Sequence, residues 1–330
     1  MLFRSLHSLA RDVTVLEVIQ RSADYLARKG VESPRLQVEL LLARVLHMPR
    51  LQLYLNFERV LAEPELSFMR ELVRRRGGRE PLQHLVGTVS FCGYELTVNR
   101  HVLIPRPETE LLAEHAWRHL NAMPVSEPTV FDFGTGSGCL AIAVAAKCPA
   151  ARVWAVDNSA AALDVARANA SKNQVAERIE WLCGDGFAPL PSGLRFDLMV
   201  ANPPYIPTAE IDRLQPEVRD YDPRNALDGG PDGLVFTRRL AVESVPWLKP
   251  SATLMLECGD GQSEVARCLF AAAGWEVAPA ISDFRPAANP GCAAPGPVKD
   301  CAAVAARRCQ RSGRTVGPVR ERRTNVHICR

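Results

Sequence analysis

This 330-residue chain lacks several features, and each absence closes a class of function. No run of eighteen or more apolar residues occurs, so we read no helical membrane span. The opening MLFRSLHSLARD has no long apolar stretch and no small-residue cleavage site. No secretory leader is therefore expected, and the chain reads as cytoplasmic. Ten cysteines are present, yet no Cys-x-x-Cys pair is among them. Cys92, Cys139, Cys148, Cys183, Cys258 and Cys268 are scattered singly, and the seven histidines do not cluster. Reduced thiols and no metal site are the expectation.

A basic surface is missing from most of the chain as well. The formal net charge is +3, but residues 284–330 hold nine Arg and one Lys against Asp300 and Glu321. That segment carries +8, which leaves −5 for residues 1–283. An acidic body with no basic stripe argues against nucleic acid as the main partner, because phosphate binding draws on clustered Lys and Arg. The same tail has almost no large apolar residues and cannot bury enough surface to offset the entropy of ordering, so it is expected to be disordered. Its arginines suit a weak, salt-sensitive contact with RNA. The rival expectation is that Ala302–Arg308, the tail's one short apolar run, forms a sheet strand.

What is present divides into three patterns. The first eighty residues read as helices. Thr14 and Glu17 make a capping-box pair, Ser33-Pro34 opens a second helix with Ser33 as N-cap, and a third follows Glu63-Pro64 and ends near Gly77-Gly78. Residues 86–104 alternate and are rich in aromatic and β-branched types, which predicts a hairpin turning at Gly93. From residue 129 onward short apolar strands alternate with helices. The strands are Thr129–Phe133, Arg152–Val156, Ile179–Leu182, Phe196–Ala201 and Ala252–Glu257. The fold class is therefore α/β, a parallel Rossmann-like sheet with helices on both faces, preceded by a small helical domain and a β-hairpin. Ligands of such sheets bind at the carboxyl ends of the strands.

The first strand runs into Gly134-Thr135-Gly136-Ser137-Gly138 and then a helix of small aliphatic residues. Glycines allow a tight turn and a close ligand, and the free N–H groups of the helix start suit an anionic or polar group. The spacing is one residue tighter than the dinucleotide pattern G-x-G-x-x-G. Asp157 ends the next strand, where a carboxylate can accept hydrogen bonds from ribose hydroxyls; that geometry serves either nucleotide cofactor. Asp185 follows the third strand and can accept from an adenine amino group.

The fourth strand stops on Asn202-Pro203-Pro204-Tyr205. Proline stiffens both Asn202 and Pro203. Asn202 offers a side-chain carbonyl, Pro203 a backbone carbonyl and Tyr205 a flat face. Two acceptors beside a nucleotide cofactor suit a substrate that presents an –NH2 group. Gripping both N–H bonds fixes the plane of a poorly nucleophilic nitrogen and aims it, and with S-adenosylmethionine as cofactor the sulfonium methyl is then open to in-line attack.

In this order, DFGTGSG, VWAVDNS and ANPPYIP resemble class I S-adenosylmethionine-dependent methyltransferases that act on amino groups. More narrowly, the chain resembles the protein-(glutamine-N5) methyltransferases of peptide-chain release factors. REPLQHLVGTVSFCGYELTVNRHVLIPRPETELL, ALDGGPDGL at 226–234 and LMLECGDGQ at 254–262 carry that likeness, which extends from about residue 13 to 283. The resemblance implies a helical substrate-recognition domain over 1–84, a hairpin linker over 85–104 and a methyltransferase domain over 105–283, with 284–330 as the basic tail. It implies cofactor contacts from Gly134, Thr135, Gly136, Ser137, Gly138, Asp157, Asp185, Gly186 and Asn202, with Arg106–Glu110 lining the methionine end. It implies a catalytic and substrate-binding role for Asn202, Pro203 and Tyr205, with Pro204 beside them. The implied substrate is the glutamine of a Gly-Gly-Gln motif in a release factor, and the implied state is monomeric.

Three positions depart from the family pattern. Gly186 stands where a bulky residue is usual, which predicts a looser adenine pocket. Asp222-Pro223 replaces Glu-Pro. No strand of the type Asp-x-x-Gly-x-x-Arg-hydrophobic follows GWEVAPAISDF. The alternative functions are a glutamine methyltransferase for a ribosomal protein and an adenine-N6 nucleic-acid methyltransferase. The first would carry a different sequence at Pro105–Glu110, and the second lacks its basic stripe. A recruiting module without catalysis would not need its cofactor residues, all of which are present. Hydride transfer has no use for Asn-Pro-Pro-Tyr.

Overall fold

Thr14 begins the chain's first helix in the way its sequence predicts. Its hydroxyl accepts from the Glu17 N–H at 3.3 Å, and the Glu17 carboxylate accepts from the Thr14 N–H at 3.1 Å. The computed structural model describes residues 13–279 and, for the backbone, residues 281–282 and 302–308. The described residues from 13 to Val86 form one compact unit, and a second begins at Gly87. The first unit holds α1 (Val15–Arg28), α2 (Pro34–Val45), α3 (Arg50–Leu53), α4 (Glu63–Gly77) and α5 (Leu82–Val86). Its core is built from Val15, Ile19, Leu26, Leu41, Leu42 and Leu72. Ser33 does not cap α2 as expected. It sits at φ 45° without a capping bond, and Pro34 alone marks the start.

The second unit opens with the hairpin of β1 (Thr88–Phe91) and β2 (Tyr94–Thr97). Cys92 and Gly93 both have positive φ, 51° and 84°, as a two-residue hairpin turn requires. The hairpin is not a free linker. The side chain of Asn169, in a helix described below, accepts from the Thr97 N–H at 2.7 Å and donates to the Thr97 carbonyl at 3.0 Å.

Along the chain there follow α6 (Thr109–Ala122), β3 (Thr129–Phe133), α7 (Cys139–Lys147), β4 (Arg152–Asp157), α8 (Ala160–Lys172), β5 (Ile179–Cys183) and β6 (Phe196–Ala201). After these come α9 (Pro216–Arg219), α10 (Val235–Glu243), β7 (Leu248–Cys258), α11 (Ser263–Ala272), β8 (Trp275–Val277), β9 (Ile281–Ser282) and β10 (Ala302–Arg308). The sheet runs β5-β4-β3-β6-β7-β10-β8, with β9 also on β10. Strands β5, β4, β3, β6 and β7 are parallel. The central strands are covered on both faces, which is why Phe196–Ala201 reads as a nearly unbroken apolar run. Helix α7 is buried from Leu140 to Ala145, and its alanines let it lie close on the sheet. Phe131, Phe133, Phe187 and Phe196 fill one side of the sheet, with the Phe131 and Phe196 rings stacked 5.1 Å apart. Among the described residues no helix is long and apolar enough to cross a membrane.

The expectation of a wholly disordered tail is corrected at one place. Ala302–Arg308 pairs antiparallel with β7 on one side and with β8 and β9 on the other. An Ala-rich segment has little strand propensity of its own, but propensity in sheets is set by context. Here a ladder is available on both edges, and without the segment β7 would present an unpaired row of backbone groups. The rest of 283–330, and residues 1–12 with the targeting expectation that rests on them, lie outside the described residues. Truncation after Asp283 is expected to lower the melting temperature by roughly 4–10 °C, because it strips the partner from β7. Thermal unfolding of the shortened chain checks this; an unchanged midpoint would return the tail to disorder.

Candidate active site

The site is assembled by strand register. Phe133 of β3 pairs with Ala201 of β6, and Phe133 also pairs with Val156 of β4. Three chain segments therefore leave the sheet side by side at its carboxyl edge: the loop from Gly134, the turn at Asp157 and the run from Asn202.

Gly134, Gly136 and Gly138 have φ of 71°, 54° and 82°. At Gly134 and Gly136 an added Cβ would meet nothing within 4 Å, so glycine is required there by backbone conformation and the space beside it is open. Gly138 differs, since a Cβ would lie 3.1 Å from Ala166, Ile142 and Trp181. The Gly134 and Thr135 N–H groups both donate to the Val156 carbonyl at 2.9 Å. Thr135 and Ser137 are buried, and the Thr135 hydroxyl donates to Asp132 at 2.6 Å. The Thr135 side chain thus ties the loop to β3 from within.

Asp157 binds the loop directly. Its Oδ2 accepts from the Gly136 N–H at 2.8 Å and its Oδ1 from the Ser159 N–H at 2.9 Å. Burial raises its pKa, and these N–H donors oppose the rise. The carboxylate stands at the end of β4, where a ribose hydroxyl can meet it.

Sequence reasoning passed over Asp132, although a carboxylate in the apolar strand TVFDF is a visible anomaly. It is fully buried. Its Oδ2 accepts from Thr135 and from the Ala141 N–H at 3.2 Å, while Oδ1 has no partner among the described residues. Burial pushes its pKa from 3.8 up to about 7 against the pull of these two donors. Asp197, in buried strand β6, shows the opposite outcome. Burial raises it too, but Lys249 at 2.7 Å and the two donors of Thr129 outweigh that and hold it below the ordinary value.

Asp185 is placed at the edge, but Arg239 holds it: Arg239 Nη1 lies 2.5 Å from its Oδ1. Gly186 does not leave the hole its sequence predicts. A Cβ there would stand 2.6 Å from Arg239 Nη2 and 3.2 Å from the Phe133 ring, so the guanidinium fills the space. No local signal at position 186 announces a residue 53 positions away.

The Asn-Pro-Pro-Tyr run is held at both ends. At the near end Asn202 Nδ2 donates to Thr109 Oγ1 at 3.0 Å. At the far end Gln262 Nε2 donates to the Tyr205 carbonyl at 2.9 Å while its Oε1 accepts from the Gly259 N–H at 3.0 Å. Gly229 and Gly233 pack so tightly that an added Cβ would fall 2.8 Å from Tyr205 Cα and 2.3 Å from the Tyr205 carbonyl oxygen. Arg106 and Glu110 brace the neighbourhood. Arg106 pairs with buried Asp222 at 2.6 Å, and Glu110 accepts from the Cys92 N–H at 2.7 Å. Pro203 is buried and Pro204 and Tyr205 are half-buried. Thr109 and Gln262 lie in stretches that the sequence pointed to, Arg106–Glu110 and 254–262, but the bonds they make here were not foreseen, and Arg239 was not singled out.

Comparison with known proteins follows this geometry. Residues 17–87 match the PrmC N-terminal domain and residues 108–215 the methyltransferase small domain. The release factor glutamine methyltransferase of Geobacter sulfurreducens is 44% identical over 262 residues, 79% of this chain and 90% of that protein. The one from Chlorobaculum tepidum is 45% identical over 264 residues, covering 78% and 89%. The one from Caulobacter vibrioides is 38% identical over 273 residues, covering 82% and 93%. Among solved structures, the hMettl16 catalytic domain in complex with MAT2A 3'UTR hairpin 6 shares the fold, with a TM-score of 0.50 at 15% identity over 76% of this chain and 83% of that one.

The Asp132 carboxyl predicts a pH dependence. Its folded pKa, about 7, lies above the ordinary 3.8, so between those values the folded chain keeps a proton that the unfolded chain has lost. Stability from this group is complete below the lower value and is lost as pH rises through the upper one. Asp132→Asn should flatten the fall in melting temperature between pH 5 and 8. Parallel curves for the two proteins would show that this carboxyl is not the one titrating.

Proposed function

This chain belongs to the release factor glutamine methyltransferases, and from that premise we propose that it methylates the side-chain nitrogen of a glutamine, through the clamp of Asn202, Pro203 and Tyr205. The observation that carries the assignment is the register of β3 with β6, which sets the glycine loop beside that clamp.

The residues present fit S-adenosylmethionine. Open space lies beside Gly134 and Gly136, Asp157 at the end of β4 is a carboxylate acceptor for a ribose hydroxyl, and the orphaned Oδ1 of Asp132 suits a cationic neighbour. When bound, that group supplies an electrophilic methyl. Asn202 and Pro203 then do the chain's part: their carbonyls accept from the two N–H bonds of the glutamine amide and hold its plane, while Tyr205 packs on it. Positioning of this kind contributes several kcal/mol to lowering a barrier. No strong base is needed before attack, since the nitrogen gives up its proton most readily afterwards. In this reading Gly134, Thr135, Gly136, Ser137 and Gly138 carry the methionine and ribose side, and Asp185 with Gly186 the adenine side.

The substrate in this reading is the Gly-Gly-Gln loop of a release factor. The nitrogen has to reach past Asn202 and Tyr205, and flanking glycines let the backbone come close. The helical unit serves recognition. Leu51 and Leu55 stand 72% and 85% exposed on it and give it apolar surface for a protein partner. The same reading has the chain acting as a monomer in the cytoplasm, with the basic segment 284–330 adding a weak, salt-sensitive contact to RNA.

Mass spectrometry after incubation with release factor and S-adenosylmethionine tests the proposal. A methyl on the Gly-Gly-Gln glutamine is expected, and a methyl on adenine, lysine or a carboxylate would refute it. Asn202→Ala should cut transfer by about a hundredfold or more while the melting temperature holds. Asp157→Ala should act on the cofactor instead, weakening its binding by roughly 1.5–3 kcal/mol in calorimetry, the loss of charge-assisted contacts.

A further inference from the structure

An asparagine can serve as an acceptor toward an –NH2 group only if its carbonyl edge faces that group. Its two edges are nearly the same shape but opposite in hydrogen-bonding character. Turned the other way, Asn202 would meet the substrate's donors with its own. Some group in the protein has to hold the amide in the useful orientation. Proline stiffness does not do it, since Pro203 restricts the backbone of Asn202 and not the last torsion of its side chain.

The structure offers one group for this purpose. Asn202 Nδ2 donates to Thr109 Oγ1 at 3.0 Å, and this is the one hydrogen bond the Asn202 side chain makes among the described residues. Oδ1 is left to accept elsewhere. Thr109 is 1% exposed, so no water competes for its hydroxyl. Its own place is fixed from several directions. It opens α6, its N–H donates to the Arg106 carbonyl at 3.1 Å, and Arg106 is tied to buried Asp222. The next residue, Glu110, accepts from the hairpin at Cys92. A rigid acceptor therefore stands on the side of Asn202 away from its free oxygen.

We propose that Thr109 is a positioning residue for methyl transfer: its buried hydroxyl takes the Asn202 –NH2 edge and so turns the Asn202 carbonyl toward the substrate amide. The proposal rests on the reading of Asn202 as an acceptor for the glutamine. Arg106–Glu110 is expected to line the methionine end, but within that stretch the proposal gives Thr109 no contact with substrate or cofactor, since its side chain is buried and its hydroxyl is engaged by Asn202. A threonine hydroxyl can also donate, but in the reversed orientation Nδ2 would have no acceptor and would oppose the substrate's own N–H groups, so the two partners together select one state.

Thr109→Val removes the hydroxyl at nearly constant shape, and Thr109→Ser keeps it. For methylation of a Gly-Gly-Gln release factor, Thr109→Val is expected to lower kcat by about ten- to hundredfold, with calorimetric affinity for S-adenosylhomocysteine unchanged to about twofold, and Thr109→Ser to restore most of the rate. A loss confined to kcat and rescued by serine is not what a packing role would give. Should Thr109→Val not fold, Thr109→Ala is measured in the same way. A Thr109 variant without the hydroxyl that keeps near-normal kcat, beside an inactive Asn202→Ala, would overturn the proposal and leave the amide clamp standing. An active Asn202→Ala would sink both.

Discussion

The parallel pairing of β3 with β6 is the constraint on which the rest of the site depends. Phe133 and Ala201 are opposite one another in the ladder, so the next residue of each strand leaves the sheet at the same height. One is Gly134, which turns at positive φ; the other is Asn202, which cannot turn freely because a proline follows it. A permissive loop and a stiff one emerge as neighbours. A slip of one residue would exchange the faces of every side chain on β6, sending half of an almost wholly buried strand to the wrong layer. The burial of β6 therefore fixes the position of Asn202 as firmly as any contact Asn202 makes itself.

That burial explains the contrast between two carboxylates. Asp197 and Asp132 both sit in apolar strands, where an unpaired charge is costly. Asp197 lies toward the amino end of its strand and meets Lys249, so it stays ionised and holds the start of β3 through Thr129. Asp132 lies near the carboxyl end, has only neutral donors for partners and titrates near 7. The protein keeps a weakened carboxyl beneath the glycine loop, one of whose oxygens is still unsatisfied. A core built for stability alone would not contain it, and its place beneath the loop that the fold uses for ligands gives it a reason to be there.

Much of this was legible in the sequence, because the signals are local. Short apolar runs predicted the parallel strands to within a residue or two, except β7, whose run starts earlier at Leu248. The glycine spacing, the acid ending the second strand and Asn-Pro-Pro-Tyr are each contiguous and each follow a strand. Helix α6 was not predicted, since its start is hidden among the prolines at 105 and 107. The bonds made by Thr109, Gln262 and Arg239 were illegible for another reason, although the first two residues lie in stretches that carried the likeness. Their partners Asn202, Tyr205 and Asp185 lie 93, 57 and 54 positions away, and only the closed fold joins them. Strand β10 was underrated because its alanines say little about pairing until β7 and β8 are in place to accept them.

The motifs that carried the family likeness turn out to be supports. The stretch 226–234 supplies the glycines packed against Tyr205, and its Asp228 accepts from the Thr208 hydroxyl at 2.6 Å. The stretch 254–262 supplies Gln262. Neither belongs to Asn-Pro-Pro-Tyr, yet both limit where its backbone lies. The departure at Gly186 follows the same logic in reverse. Position 186 has φ of 58°, strained for a side chain, and Arg239 occupies the volume that a side chain there would need. Arg239 lies over the Phe133 ring at 6.0 Å from its centroid and pairs with both Asp185 and Glu243. Burial would disfavour its charge, but the Asp185 contact comes first among its interactions and holds its pKa above the ordinary value. A bulky residue at 186 would require the guanidinium to move. The space at the end of β5 is filled in this chain by a side chain that arrives from α10 and brings an ion pair with it.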